Sequence, residues 1–293
     1  MTTVIVTGGS GKVGSVLIPE LIAAGYGVLN VDQSAPRESH CQWLKADLTD
    51  MGAVMDALAR HPGMVDRRRG PLGVPELIIH LAGITAPALL PDHVTFATNT
   101  VATYNVFNAA TRLGFKRVVW ASSETAFGLP LTRNPPCFVP MTEEHPAVPE
   151  SGYALGKVLQ ERMAEEMARW CPATTFVGLR LSHVFDEADY GPIPGYWDKP
   201  ETRMWNLWSW VDRRDVAEAC RLALTADVTG AEVFTIAAAD TLMQAQNRDL
   251  LARYYPGVPI RGDIGEHTTL LSIDKARRML GYQPRHTWRG KAA

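Results

Sequence analysis

The chain has 293 residues, 46% of them hydrophobic, and a formal net charge of −2; a chain of this size buries roughly three quarters of its unfolded surface and needs no disulfide or metal staple. The charge balance leaves no basic footprint for nucleic acid, and the four scattered cysteines (Cys41, Cys137, Cys171, Cys220) fit no zinc or redox spacing, so no metal is expected. The first strand begins at the third residue with no basic, apolar leader before it, so no membrane partner and a cytoplasmic location are expected.

In chain order, the first element is a strand over 3–7, running straight into Gly8-Gly9-Ser10-Gly11-Lys12-Val13-Gly14 and a helix over 12–24. A glycine-rich turn between strand and helix lets backbone N–H groups approach a pyrophosphate, and the helix N-terminus adds favourable partial charge. The turn residues Gly8, Gly11, Lys12, Val13 and Gly14 are therefore candidates for dinucleotide binding. A second strand, 27–32, ends on Asp32, whose carboxylate can accept from ribose hydroxyls and would repel a 2′-phosphate. That favours NAD over NADP, although Arg37 could hold such a phosphate. A strand over 41–45 and a helix over 51–60 follow. His61 to Pro75, with Arg67-Arg68-Arg69 amid glycine and proline, reads as a solvated loop or, alternatively, an anion or subunit contact.

Strands over 77–82 and 117–122 flank a helix over 93–113. The latter strand ends in Ser122-Ser123, and a hydroxyl at a strand's carboxyl end can orient a substrate oxygen; Ser123 is the choice over Ser122. After the proline-rich segment 128–149, read as a rim, a helix over 152–170 carries Tyr153 and Lys157, four apart and hence on one face. A phenol is a poor base at neutral pH, and a neighbouring ammonium is expected to lower its pKa. A strand over 174–180, an aromatic-rich stretch from Tyr190 to Trp210, a helix over 211–224 and a strand over 232–236 complete the pattern. Strand–helix alternation with apolar strands predicts an α/β fold, a Rossmann doubly wound parallel sheet with its ligand beyond the carboxyl strand ends. Residues 1–180 and 211–237 are expected to form the nucleotide domain, and 181–210 with 238–293 a small C-terminal substrate lobe.

These pieces together resemble an extended short-chain dehydrogenase/reductase of the NAD-dependent epimerase/dehydratase group. The resemblance rests on Thr7 to Gly14, Asp32, Ala46-Asp47-Leu48, His80-Leu81-Ala82-Gly83, Asn99, Ser122-Ser123 with Phe127-Gly128, Tyr153 and Lys157, and Val211 to Ala217; Asp274-Lys275-Ala276 and Leu280-Gly281-Tyr282 resemble the family's usual ending. It implies tightly held NAD, catalytic roles for Ser123, Tyr153 and Lys157, and a cofactor site to which Asp47, Leu48, Leu81, Ala82, Gly83 and Asn99 also belong. It further implies that Tyr153 and Lys157 contact the cofactor, and that helices 93–113 and 152–170 pair in a homodimer through Val101, Val106, Leu155 and Leu159.

Departures from the family pattern narrow the substrate. Glu124-Thr125 stands where dehydratases carry an acidic pair, so a 4,6-dehydratase is disfavoured. His183 replaces the asparagine usual in nucleotide-sugar enzymes, and 25 residues separate Phe185 from Val211, a short stretch for a nucleoside diphosphate groove. The shortened lobe is similar to that of uronate dehydrogenases, with Arg203 as a candidate fork for a carboxylate. Glu124, Thr125, His183 and Arg203, with Ser123, are the candidate substrate contacts; for His183 a satisfied core histidine is the alternative, and for Arg203 a surface arginine. The tryptophans are read mainly as lobe core. The first expectation is NAD-dependent hydride transfer on a small sugar, sugar acid or polyol; nucleotide-sugar epimerisation is the second, and a non-catalytic NAD-sensing regulator the third.

Overall fold

The computed structural model describes residues 2–59, 65–66, 70–71, 75–131 and 133–290. Seven parallel strands form the central sheet: β1 (Thr3–Thr7), β2 (Gly27–Asp32), β3 (Gln42–Lys45), β4 (Pro75–His80), β5 (Arg117–Ser123), β6 (Thr175–Leu181) and β7 (Ala231–Ile236). Their spatial order is β3-β2-β1-β4-β5-β6-β7. The strand order reverses between β1 and β4, which opens the crevice where α/β sheets hold ligands. Val65–Asp66 and Gly70–Pro71 pair antiparallel between α2 (Met51–Leu58) and β4; Arg67-Arg68-Arg69 lies outside the described residues.

Alternation along each strand builds two apolar layers. Val4, Val6, Ile79, Val119, Val177 and Phe234 face one side, covered by α1 (Gly14–Ala23), α5 (Arg213–Ala223) and α7 (Asp274–Leu280). Ile5, Ile78, Val118, Trp120 and Phe176 face the other, covered by α2, α3 (Asp92–Leu113) and α4 (Gly152–Trp170). The first layer also takes in Leu207, Trp208, Met243, Leu250 and Leu271, so the segments expected as a separate lobe share one core with the sheet. A smaller cluster of Phe185, Tyr190, Ile193, Trp210, Leu242 and Trp288 lies beyond it. The tail contributes α7 and α6 (Asn247–Tyr254), neither of which the periodicity marks.

Chain ends of these helices follow ordinary capping. Asp50 and Ser151 accept from Ala53 N and Ala154 N at the starts of α2 and α4, and Gly114 closes α3 in the left-handed region. Val106, expected on a subunit seam, is fully buried instead, because the α3 stripe it belongs to faces the sheet. Gly178 shows why one strand position excludes a side chain: a Cβ there would lie 2.6 Å from the Trp120 ring, its register partner on β5. Gly178→Ala should therefore cost about 1–3 kcal/mol by overpacking, read as a lower urea midpoint with an unchanged slope.

Candidate active site

The glycine turn is pinned before any ligand is considered. Asp32 accepts from Ser10 N at 3.0 Å through one oxygen and from Ser34 N at 3.0 Å through the other. Buried Asn30 donates to Ser10 Oγ at 3.1 Å, and a side chain at Gly9 would strike it. Gly8 sits at φ +74° with its Cα so close to the chain after β4 that a Cβ would meet Ala82 N at 2.5 Å; at Gly14 it would meet Gly9 at the same distance. Gly11 differs, since its nearest neighbour would be Gly8 O at 3.3 Å. Gly8 and Gly14 are needed by the protein's own packing, whereas Gly11 leaves room on the exposed side of the turn.

A single cleft of about 1050 Å³ runs along the carboxyl ends of the strands. Its wall contains Gly8, Gly11, Lys12, Val13, Gly14, Asp32, Asp47, Leu48, Leu81, Ala82 and Gly83 at one end, and Ser123, Glu124, Thr125, Tyr153, Lys157 and His183 at the other. The structure thus gathers nearly all the sequence-predicted positions. Two stand behind the wall. Asn99 clamps the loop after β4 by accepting from Ile84 N at 2.8 Å and donating to Ile84 O at 2.9 Å. Arg203, read from the sequence as a fork for the substrate, is buried and donates to His183 Nδ1 at 2.8 Å and to Ser209 O at 3.1 Å. Arg37 is exposed and off the wall.

At the Tyr153 end, Ser123 Oγ accepts from Thr125 N at 3.2 Å and from Thr125 Oγ1 at 3.0 Å, which leaves its own O–H to donate to Tyr153. Lys157 Nζ donates to Ala121 O at 2.7 Å and lies 5.6 Å from the centre of the Tyr153 ring. An ammonium keeps two further donors. The pKa directions correct one expectation. Burial pushes Tyr153 up to about 12, Glu124 adds to this, and the bond from Ser123 opposes it. Burial likewise draws Lys157 down to about 8, opposed by Glu161. Desolvation of both groups outweighs the help that the ammonium was expected to give the phenol. Ser122, the alternative not chosen, also lines the cleft, but its hydroxyl is turned to Glu161, donating to Oε1 at 2.6 Å.

The far end carries a second set of groups. Glu124 is buried; its Oε2 accepts from Ser182 Oγ at 2.6 Å and its Oε1 from Asn206 Nδ2 at 3.0 Å. Burial lifts its carboxyl to about 7 despite these bonds and the nearby Arg203 charge. His183 is exposed to the cleft; desolvation and then the Arg203 charge lower it to about 4. A guanidinium donor on Nδ1 demands the same neutral tautomer, with its proton on Nε2. Arg203 is held among Trp205, Tyr196 and Phe185, whose ring centres lie 5.0, 5.6 and 5.8 Å away.

Sequence reasoning missed several of these positions. Ser182 and Trp205 line the wall; Ser182 had a signal in its place at the end of β6, whereas Trp205 was absorbed into the core reading. Asn206 acts through Glu124, and Asn105, which donates to Leu48 O at 2.9 Å and so positions the Asp47–Leu48 loop, acts from α3; neither had a local signal. His80, with Nδ1 2.7 Å from Thr7 Oγ1 and Nε2 3.1 Å from Thr103 Oγ1, is buried and drawn down to about 3 by desolvation, so it serves as a neutral tie under the turn. Lys12 reaches across the cleft mouth to Asp189 at 2.8 Å and Asp186 at 3.2 Å. Among the described residues no group of three or more His, Cys, Asp or Glu side chains is gathered as a metal site, and no helix is long and apolar enough to cross a membrane.

This combination of parallel sheet, glycine turn with a terminal aspartate, and Tyr–Lys helix defines a Rossmann-type dinucleotide-binding protein. Residues 4–237 match the model of the NAD dependent epimerase/dehydratase family, and the chain belongs to that family. A UDP-glucose 4-epimerase of Mycolicibacterium smegmatis is 32% identical over 200 residues, which cover 64% of this chain and 56% of that protein. One from Rhizobium leguminosarum bv. trifolii is 28% identical over 206 residues, covering 68% and 57%. The chain spans about half the length of the curated relatives it matches. Among solved structures, a short-chain dehydrogenase/reductase superfamily protein of Agrobacterium tumefaciens with bound NAD superposes with a TM-score of 0.71 at 25% identity, covering 98% of this chain and 94% of that one. A mutated uronate dehydrogenase shares the fold with a TM-score of 0.69 at 24% identity, covering 99% and 85%.

The residues fit NAD: the turn keeps an open cradle at Gly11, and each Asp32 oxygen retains a lone pair beyond its backbone bond. Gly8→Ala should lower stability by about 2 kcal/mol or more through the positive φ and the clash. Gly11→Ala should change stability by less than about 1 kcal/mol yet weaken NADH binding at least about tenfold, because the new methyl fills the cradle. Urea unfolding and a fluorescence titration read the two effects separately.

Proposed function

We propose that the protein is an NAD-dependent oxidoreductase that transfers hydride at a hydroxyl-bearing carbon of a small sugar, sugar acid or polyol, working in the cytoplasm. The observation that carries this reading is the meeting of Ser123, Tyr153 and Lys157 on the wall of the cleft that also contains the glycine turn. NAD, when bound, supplies the hydride acceptor. Tyr153, in its phenolate form, takes up the hydroxyl proton as the carbon becomes a carbonyl, so turnover rises toward alkaline pH. Ser123 holds the same oxygen, its Oγ fixed by Thr125. Lys157 presents its free N–H groups to Tyr153 and to the cofactor ribose. Residues 181–210 supply the substrate end, through Ser182, His183 and Trp205.

A sugar acid is favoured at that end. His183 Nε2–H is a donor whose ring is backed by the Arg203 guanidinium, so Arg203 serves an incoming carboxylate through His183 as well as by its own charge. Epimerisation of a nucleotide sugar is the second reading, supported by the 4-epimerase relatives; it uses the same Tyr and Ser but returns the hydride to the opposite face. A panel of free sugars, sugar acids and nucleotide sugars decides between them. Net NADH with a free sugar or acid supports the oxidoreductase; isomerised product without net NADH supports the epimerase. Tyr153→Phe should lower kcat at least about 100-fold, the scale of general-base loss, while NADH affinity stays within about twofold. Full retention of activity in that variant would remove the proposed mechanism.

We further infer a homodimer through the α3–α4 face. Val101, Tyr104, Leu155 and Leu159 on those helices are 43, 44, 42 and 38% exposed, a concentration of apolar surface that a second copy would cover. Light scattering should give twice the chain mass, and Leu155→Asp with Leu159→Asp should halve it; a single-chain mass for the wild type contradicts the dimer.

A further inference from the structure

Glu124 and Arg203 form an unusual charge arrangement. Both are buried, 3% and 5% exposed, yet among the described residues no hydrogen bond joins them. The guanidinium spends its bonds on His183 Nδ1 and Ser209 O, and its Nε has no hydrogen-bond partner among the described residues. The carboxyl takes its bonds from Ser182 and Asn206. Every one of these partners is neutral. A buried guanidinium keeps its charge at any working pH, whereas a buried carboxyl can surrender its own. The Glu124–Arg203 pair is therefore neutral or carries a charge of +1, according to one proton on Glu124.

The groups facing Glu124 are Ser182 and the His183 backbone N–H beyond β6, Arg203 and Asn206 from the aromatic segment, and Tyr153 from α4. With Tyr153 raised and His183 lowered, Arg203 is the charged member of this set at neutral pH. Geometry also accommodates either state of the carboxyl. Ser182 Oγ lies 2.6 Å from Glu124 Oε2 and 3.0 Å from Ser209 Oγ. When Glu124 is ionised, Ser182 donates to it. When Glu124 is protonated, the Ser182 hydrogen turns to Ser209 and Ser182 Oγ accepts the carboxyl O–H. No heavy atom has to move.

An entering carboxylate would place two anions against one cation in a poorly solvated space if Glu124 stayed ionised. We propose, resting on the oxidoreductase reading above, that Glu124 is a specificity-determining residue: it admits a small hydroxylated monocarboxylate by taking up one proton as that carboxylate settles against His183, in front of the buried Arg203 charge. Before binding, Glu124 is the counter-ion of Arg203; afterwards the substrate is. The balance is one proton from solvent to Glu124 per acid bound, with no covalent change.

The test uses D-glucuronate as the acid probe and D-glucose as the neutral one on the whole, NAD-loaded protein. With a carboxyl near 7, a one-proton requirement makes the glucuronate KM rise about tenfold from pH 6 to pH 8, while any KM for glucose stays flat. Calorimetry on the NADH-loaded protein, which cannot oxidise the probe and so adds no reaction proton, in two buffers of different ionisation enthalpy should register about 0.9 proton taken up per glucuronate at pH 8. In Glu124→Gln both the KM rise and the uptake should vanish. Binding of glucuronate without uptake, equal uptake in Glu124→Gln, no glucuronate binding, or a flat glucuronate KM would each overturn the proposal. Calorimetry on the wild type needs neither turnover nor a variant. Uptake with no NADH formed overturns the oxidoreductase reading alone; NADH from glucose with no glucuronate binding overturns this inference alone.

Discussion

The setting of Tyr153 and Lys157 depends on one buried ion pair. Arg180, from β6, donates Nε to Glu161 Oε1 at 2.9 Å and Nη2 to Glu161 Oε2 at 2.8 Å, and Glu161 Oε1 also receives Ser122. These side chains are 8% and 9% exposed. The fork locks helix α4 against strands β5 and β6 in a single rotational setting. Tyr153 and Lys157 stand two turns and one turn before Glu161 on that helix, so the pair also fixes how they face Ser123. Pairs of this kind are costly to desolvate and contribute less to net stability than to uniqueness, although loss of one partner typically costs about 3–5 kcal/mol. Here the neighbouring ring of Phe127, 4.6 Å from the guanidinium, supports the Arg180 side of the contact.

Around that fixed point the two ends of the cleft follow different physical logic. The dinucleotide end is built from backbone: glycines that permit close approach, N–H groups held by Asp32, and amides of Asn30, Asn99 and Asn105 that clamp loops from behind. The substrate end is built from side chains with unequal solvation, where burial separates the protonation behaviour of Tyr153, Lys157, Glu124 and His183. Such divergence among neighbouring titratable groups is characteristic of functional sites.

Much of this was legible in the sequence, for reasons that can be named. Strands β1, β2 and β5 announce themselves because their apolar runs have no polar face, and the turn after β1 because three glycines stand at fixed spacing. Tyr153 and Lys157 are visible because helical periodicity alone puts them on one side. What escaped are contacts that close only in three dimensions. The placement of Arg203 behind His183 depends on a bend at Leu207 and Trp208, both at positive φ, and no local pattern encodes it. The elevated Tyr153 pKa could not be foreseen from its spacing to Lys157, since desolvation is set by the whole wall. Helices α6 and α7 are short, at eight and seven residues, too brief for periodicity to stand out. Val106 shows the converse error: an apolar residue on the right helix but on the inward stripe.

The shared apolar layer has a mechanical corollary. Leu207, Trp208, Met243 and Leu271 interleave with Val177, Leu179 and Phe234 in one continuous cluster, leaving no seam along which the segments after β6 and β7 could swing as a rigid body. A hinge there would have to expose fully sequestered tryptophan and leucine to water, at a cost that opposes opening. Traffic in and out of the crevice is therefore governed by its margins, chiefly Thr85 to Pro87, Leu129-Pro130 and the Lys12 bridge, rather than by jaws parting around a pivot.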